Sequence, residues 1–190
     1  MYDATMIFVP GLGGSGPDHW QTLWQAAFDD ALRVEQADWD RPDRAAWMAA
    51  LDATVRRAAR PAVLIAHSLA CALVVHWAED HPPLGVAGAL LVAPADVDSP
   101  KHTPLEARCF APMPRRPLPF AACVVASEDD PYVPIARARR FAFVWQADFV
   151  SVGRAGHINA ASDLGHWPQG RALLGGLMQR IAPRLVSAAE

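Results

Sequence analysis

Short apolar runs, each closed by Gly, Pro, Ser or Asp, alternate with longer stretches of helical periodicity through most of this 190-residue chain. That alternation constrains the fold more than any other feature, because consecutive parallel strands need a crossover of a dozen or more residues, usually a helix. Six strands are expected, at 5–9 (TMIFV), 33–37 (RVEQA), 62–66 (AVLIA), 86–92 (VAGALLV), 121–126 (AACVVA) and 148–152 (DFVSV). The second is too polar for a sheet interior and is assigned to an edge. Helices are expected at 18–31, with Asp18 as N-cap, and at 43–59, 69–80, 134–144 and 168–182. Within 43–59, Trp47, Leu51, Thr54 and Val55 recur at helical spacing beside Arg44, Asp52 and Arg56, the pattern of a helix lying on a sheet. Trp20, Trp24 and Phe28 form a similar apolar stripe and read as core.

The segment 95–119 breaks the alternation with six prolines, at 100, 104, 112, 114, 117 and 119. A loop of this length is either functional, here a flap over a site after the fourth strand, or a solvated excursion. A hydrophobic content of 52% over 190 residues suits one domain spanning 1–190. A net charge of −3, with no basic run beyond pairs such as Arg56-Arg57 and Arg115-Arg116, gives no reason to expect nucleic acid or an anionic membrane as partner. Cys71, Cys109 and Cys123 are odd in number and widely spaced, and are expected as reduced core thiols rather than a disulfide framework or a metal site. The start, MYDATMIFVPGLGG, has no basic region ahead of its short apolar run, and no run approaches the length of a membrane helix. The expected location is the cytoplasm.

Ser68 sits where a hydrophobic strand, VLIAH, turns at once into a helix, LACALVVHWAED. A small nucleophile at such a corner is a nucleophile elbow when the flanking residues let backbone approach backbone; the usual pattern is G-x-S-x-G, and here Ala66 and Ala70 take the glycine places. Taken alone, a bare A-H-S-L-A string fits a helix N-cap serine better than an elbow, so the rest of the chain decides. Acyl transfer needs a base for the serine proton, a carboxylate to orient that base and two N–H groups for the oxyanion. In the chain order of this architecture the acid follows a late strand and the histidine the last one. Asp129 and Asp130 lie in S-E-D-D-P-Y-V-P and His157 in G-R-A-G-H-I-N-A. The oxyanion donors would be the N–H of Leu69 and, from P-G-L-G-G-S, that of Leu12. Gly11, Gly13 and Gly14 before a helix also invite a phosphate reading, but the Lys of a P-loop and the G-x-G-x-x-G spacing are missing. His67 is expected to pack on the sheet; His76, His81 and His102 are secondary. His19-Trp20 and His166-Trp167 are placed at the border of the pocket. No metal or other cofactor is implied.

Four motifs in order, V-P-G-L-G-G-S-G-P-D-H-W-Q-T-L-W, A-H-S-L-A-C, A-S-E-D-D-P-Y-V-P and A-G-H-I-N-A-A-S-D-L-G-H-W-P, resemble the small serine hydrolases related to the bacterial YdeN proteins and the mammalian retinoblastoma-binding hydrolase. The likeness covers nearly the whole chain. It implies a compact α/β-hydrolase fold, a three-layer α/β/α sandwich on a six-stranded, mainly parallel sheet of order 2-1-3-4-5-6 without a cap domain. It also implies a triad of Ser68, Asp130 and His157, Asp130 being the aspartate directly before proline. The L-x-C-x-E string of the mammalian relative reads Leu69-Ala70-Cys71-Ala72-Leu73 here, so that protein partner is not carried over. The expected activity is hydrolysis of an ester-like substrate, taken as a carboxylic ester with a small acyl group, through an acyl-enzyme, with amides and thioesters left open. The alternative, prompted by Ala66 and Ala70, is a silent scaffold that keeps the fold.

Overall fold

The computed structural model describes residues 4–81 and 85–187, with side chains up to 182. The strands are β1 (Thr5–Val9), β2 (Leu32–Arg33), β3 (Ala62–His67), β4 (Val86–Val92), β5 (Ala121–Ala126) and β6 (Asp148–Ser151), and the helices α1 (Trp20–Gln25), α2 (Arg44–Arg56), α3 (Leu69–Asp80), α4 (Ile135–Trp145) and α5 (Pro168–Ser187). All strand pairs are parallel and the spatial order is β2-β1-β3-β4-β5-β6, as expected.

Side chains of a strand alternate between the sheet's two faces, and the core divides accordingly. Ile7, Val9, Leu64, Ala66, Leu91 and Val124 pack under α2, α3 and α4 with Trp47, Leu51, Phe141 and Trp145. Met6, Phe8, Val63, Ile65, Leu90 and Val92 pack under α1 and α5 with Trp20, Trp24, Leu177 and Ile181. Burial on both faces is why these strands read as unbroken apolar runs.

Several local expectations change. The edge strand is two residues long, pairing Leu32 with Ile7 and Arg33 with Phe8, because the chain then turns polar and Glu35 stays in solvent. The first helix covers only Trp20–Gln25. Its N-cap is His19 rather than Asp18, since the His19 imidazole accepts the Gln21 N–H at 3.1 Å while Asp18 stays exposed. Phe28 is only partly buried at the edge of the core. Cys71 and Cys123 are buried thiols, but Cys109 is exposed, on the outward side of a turn whose other side buries Ala107 and Phe110.

That loop is no solvated excursion. A 3₁₀ turn, Leu105–Phe110, buries Ala107 and Phe110, and Thr103 and Met113 are buried beside it. Arg137 of α4 clips the loop down, donating to Asp96 at 3.1 Å and to Asp98 at 2.6 Å, while Asp98 accepts the Met113 N–H at 2.8 Å. Among the described residues no helix is long and apolar enough to cross a membrane.

Candidate active site

The carboxyl ends of β1 and β3 meet where the sheet order reverses, the place at which open α/β sheets bind ligands. Ser68 stands there, between β3 and α3, with φ +57° and ψ −123°. A non-glycine residue held in this region costs of order 1–3 kcal/mol and persists only when its surroundings over-determine it. They do: the Ser68 N–H donates to Val92 O at 2.9 Å, its carbonyl accepts from Cys71 N at 3.0 Å, and Ala66 and Ala70 are fully buried at the elbow. Alanine is therefore small enough for this turn.

The loop after β1 packs directly on the elbow. A Cβ on Gly11 would lie 2.7 Å from His67 O and 3.1 Å from Leu69 N, so only glycine allows this approach. Gly13 N–H donates to Trp39 O and Gly14 N–H to Gly11 O, fixing the loop's path, and Gly14 rests on the Trp39 ring. The N–H of Leu69 opens α3 and has no helical acceptor. Neither it nor that of Leu12 is spent on another hydrogen bond among the described residues. Leu12 and Leu69 line one cavity of about 170 Å³ together with Ser68 and His157.

His157 Nε2 lies 2.7 Å from Ser68 Oγ, and its Nδ1 lies 2.9 Å from both carboxylate oxygens of Asp130. Asp130 is enclosed, with a side chain 0% exposed, and its Oδ1 also accepts the Tyr132 N–H at 2.8 Å. The rival, Asp129, does different work: it accepts from Ser127 Oγ at 2.8 Å and from Gly156 N at 2.9 Å, bonds that hold its carboxyl below the usual carboxylate range. Asp129 thus ties down the loop that presents His157, and Asp130 meets the imidazole. Such an arrangement can move a proton off the serine hydroxyl and stabilise the imidazolium that forms.

Two buried residues that sequence reasoning passed over hold the site together. Gln21 Nε2 donates to Val9 O at 3.2 Å and to Ile65 O at 2.8 Å, bridging the ends of β1 and β3, and its Oε1 accepts from Ser15 Oγ at 2.6 Å. The signal was a lone polar residue one helical turn from Trp24 in an apolar stripe. Gln21→Leu, which strands both carbonyls and the Ser15 hydroxyl, is expected to lower the unfolding free energy by about 2–4 kcal/mol in urea titration, since each buried unsatisfied group costs roughly 1–3 kcal/mol.

The second is His67. It does not merely pack on the sheet: its Nε2 lies 2.9 Å from His157 O, and its ring sits between those of His19 at 4.7 Å and His157 at 4.9 Å. Burial pushes its pKa well below the ordinary value, so the ring is neutral and Nε2–H donates to that carbonyl. His19 lines the cavity as expected, whereas His166 is exposed, and Trp167 packs on Trp20 and Trp24 in the core instead of bordering the pocket. His76 Nε2–H donates to Phe110 O at 2.7 Å and His102 Nδ1–H to Pro131 O at 2.8 Å, and the His81 ring stacks on that of Trp77. Among the described residues no three His, Cys, Asp or Glu side chains come together as a metal site.

Burial, aided by Arg33 and His157, lowers the pKa of His19 from 6.5 to about 4. Below pH 6.5 the unfolded chain binds a proton that the folded chain refuses until about pH 4, so stability falls as pH drops through that window. His67 and His76 shift in the same direction. The melting temperature is expected to fall steadily from pH 6.5 to 4, less steeply in His19→Asn, with up to about 3 kcal/mol at stake from His19 alone.

Residues 6–176 match the family model described as "Serine hydrolase". Among solved structures, a protein of Pectobacterium atrosepticum described as a YdeN-like hydrolase is 31% identical over 94% of this chain and 92% of that chain, with a TM-score of 0.84. The ydeN gene product of Bacillus subtilis is 17% identical over 93% of this chain and 99% of that chain (TM-score 0.76), and Est1E of Butyrivibrio proteoclasticus is 9% identical over 97% and 89% (TM-score 0.69). These two share the fold. Among curated proteins there is no match.

Proposed function

The chain belongs to the serine hydrolase family, and from that premise we propose that it hydrolyses small carboxylic esters by two-step acyl transfer. Ser68 is the nucleophile. His157 takes the Ser68 proton and later gives it to the leaving oxygen, while Asp130 holds the imidazole with Nε2 unprotonated. The N–H groups of Leu12 and Leu69 receive the oxyanion, and a water activated by His157 then releases the acyl group. The observation that carries this reading is the unbroken chain of contacts from Asp130 through His157 to Ser68 Oγ, on a serine held at positive φ.

The substrate size follows from the cavity. At about 170 Å³ it lies below the roughly 300–1,000 Å³ of drug-sized sites, with the 95–119 loop contributing Thr103, Pro104 and Ala107 to its wall. The buried thiols fit a reducing compartment, and we place the protein in the cytoplasm on that ground.

The test is intact-mass detection of a fluorophosphonate adduct on the purified protein beside Ser68→Ala. One adduct, lost in the variant, is expected. No adduct on folded protein would replace this reading by a silent scaffold.

A further inference from the structure

Asp96 and Asp130 are the two carboxylates buried among the described residues, at 6% and 7% exposure. Asp130 meets His157. Asp96 stands outside the triad, beyond the end of β4. Its Oδ1 accepts from Arg137 Nε at 3.1 Å, and Asp98 Oδ2 accepts from Nη2 of the same guanidinium at 2.6 Å. Taking a carboxylate out of water is costly, and a buried ion pair often adds nothing to stability over apolar residues of the same shape. The consequence of this pair lies in what hangs on the Asp96 backbone.

That backbone is tied directly into the wall of the Ser68 cavity. The Asp96 N–H donates to Tyr132 O at 3.1 Å, and the Asp96 carbonyl accepts from the Thr103 hydroxyl and from Ser99 N at 2.9 Å. Ser99 O in turn accepts the Thr103 N–H at 3.1 Å, so the stretch from 96 to 103 closes on itself. Ala95, Thr103, Pro104, Ala107 and Tyr132 all line the cavity, whereas Arg137 does not. Asp98 carries the anchorage to the far part of the loop by accepting the Met113 N–H at 2.8 Å. One guanidinium on α4, outside the cavity, therefore holds the loop that supplies Thr103, Pro104 and Ala107. These three side chains are small, so the position of the loop, more than their bulk, decides how far the cavity extends.

We propose that Arg137 is a positioning residue that sets the upper size of the substrate. Its bonds to Asp96 and Asp98 keep the 103–107 wall close to Ser68, and the wall so held favours short-chain esters over long-chain ones. The reading of the substrate as an ester is needed here only for the class of ligand. The anchorage of the wall does not depend on turnover at Ser68.

Binding tests this without turnover. In Ser68→Ala, dissociation constants of ethyl acetate and ethyl hexanoate are obtained by NMR titration, and again with Arg137→Met added, which keeps an unbranched stem and drops every donor. The ratio of the two constants is expected to move about tenfold or more toward ethyl hexanoate, since each of its four extra methylenes gains about fourfold where it finds apolar room. A ratio that moves less than about threefold, or equal weakening of both esters, overturns the proposal. Arg137→Lys, which keeps a cation beside the two carboxylates, is expected to hold the starting ratio within about threefold, and a Lys variant as relaxed as the Met one overturns it as well.

Arg137→Met leaves Asp96 buried without its cation. Should that variant not fold, Asp96→Asn/Arg137→Met, uncharged at both places, repeats the titration with the same expected shift, and the absence of that shift overturns the proposal. Amide hydrogen exchange supplies a second readout: the Thr103 and Ala107 N–H groups, bonded to Ser99 O and Pro104 O, should exchange about tenfold faster once the pair is gone, with those of β3 unchanged. Unchanged exchange at both overturns the proposal. The adduct experiment above reads the hydrolase assignment separately. An adduct without a shift in the ester ratio strikes the role of Arg137 and leaves the triad chemistry, and a shift without an adduct does the reverse.

Discussion

His157→Ala is expected to lower turnover of a small activated ester such as p-nitrophenyl acetate by about 10⁴-fold or more, with KM changed far less. Removing the imidazole takes away the group 2.7 Å from Ser68 Oγ that can accept its proton, and a serine hydroxyl without such a base is a weak nucleophile. Asp130→Asn should cost about 10³- to 10⁴-fold by a different route. Its amide would present N–H or a neutral oxygen to Nδ1 in place of the two oxygens now at 2.9 Å, freeing the imidazole to carry its proton on Nε2, where it blocks proton transfer from the serine. Asp129→Asn is the contrast: it loosens the loop at Gly156 and should cost much less. Initial rates for the three variants beside their melting curves decide the matter. Wild-type turnover in His157→Ala would mean that the roles are wrongly assigned.

Gly11→Ala should cost about 10²-fold in kcat and about 1–3 kcal/mol in stability, from a single methyl group. The added carbon would meet His67 O at 2.7 Å and Ser68 Cβ at 3.0 Å. Neither neighbour can yield cheaply, since one is strand backbone and the other is already held at positive φ. The loop must move instead, and with it the Leu12 N–H proposed for the oxyanion. A loss confined to kcat marks displacement of a transition-state donor, whereas a loss confined to KM would point to a blocked cavity. Gly16→Ala, where an added Cβ meets nothing within 4 Å, is the control and should leave both constants near wild type.

What the sequence disclosed and what it hid follow one physical line. Strands buried on both faces must be apolar throughout, so β1, β3, β4 and β5 were legible within a residue or so of their ends. Edge strand β2 has no such requirement, and a run of alternating residues, RVEQA, promised five paired residues where two form. The first helix looked longer because Trp20, Trp24 and Phe28 keep helical spacing, yet the chain leaves the helix at Ala26 and Phe28 reaches the core from the irregular segment that follows. Ser68, Asp130 and His157 could be named because each closes a recognisable strand. Asp129 and Asp130 could not be separated by residue type, since both sit in the same turn and only the direction of each carboxyl distinguishes them. Gln21 and His67 were missed for a related reason: their partners lie 44 and 90 residues away, and nothing local announces such a bond.

The Gln21 strut and the pairing of Thr5 with Ala62 join β1 to β3, so the Leu12 and Leu69 N–H groups proposed for the oxyanion come from segments separated by most of a β-α-β-α excursion. Asp130 and His157 arrive later still, from the ends of β5 and β6. An early fragment of the chain can therefore bring Leu12, Ser68 and Leu69 together but holds neither Asp130 nor His157, and under the proposed chemistry a chain emerging from the ribosome gains its base only when the last strand has docked. Reactivity at one serine hydroxyl then reports on completion of the whole sheet, so recovery of fluorophosphonate labelling during refolding would time the final long-range closure rather than collapse or helix formation.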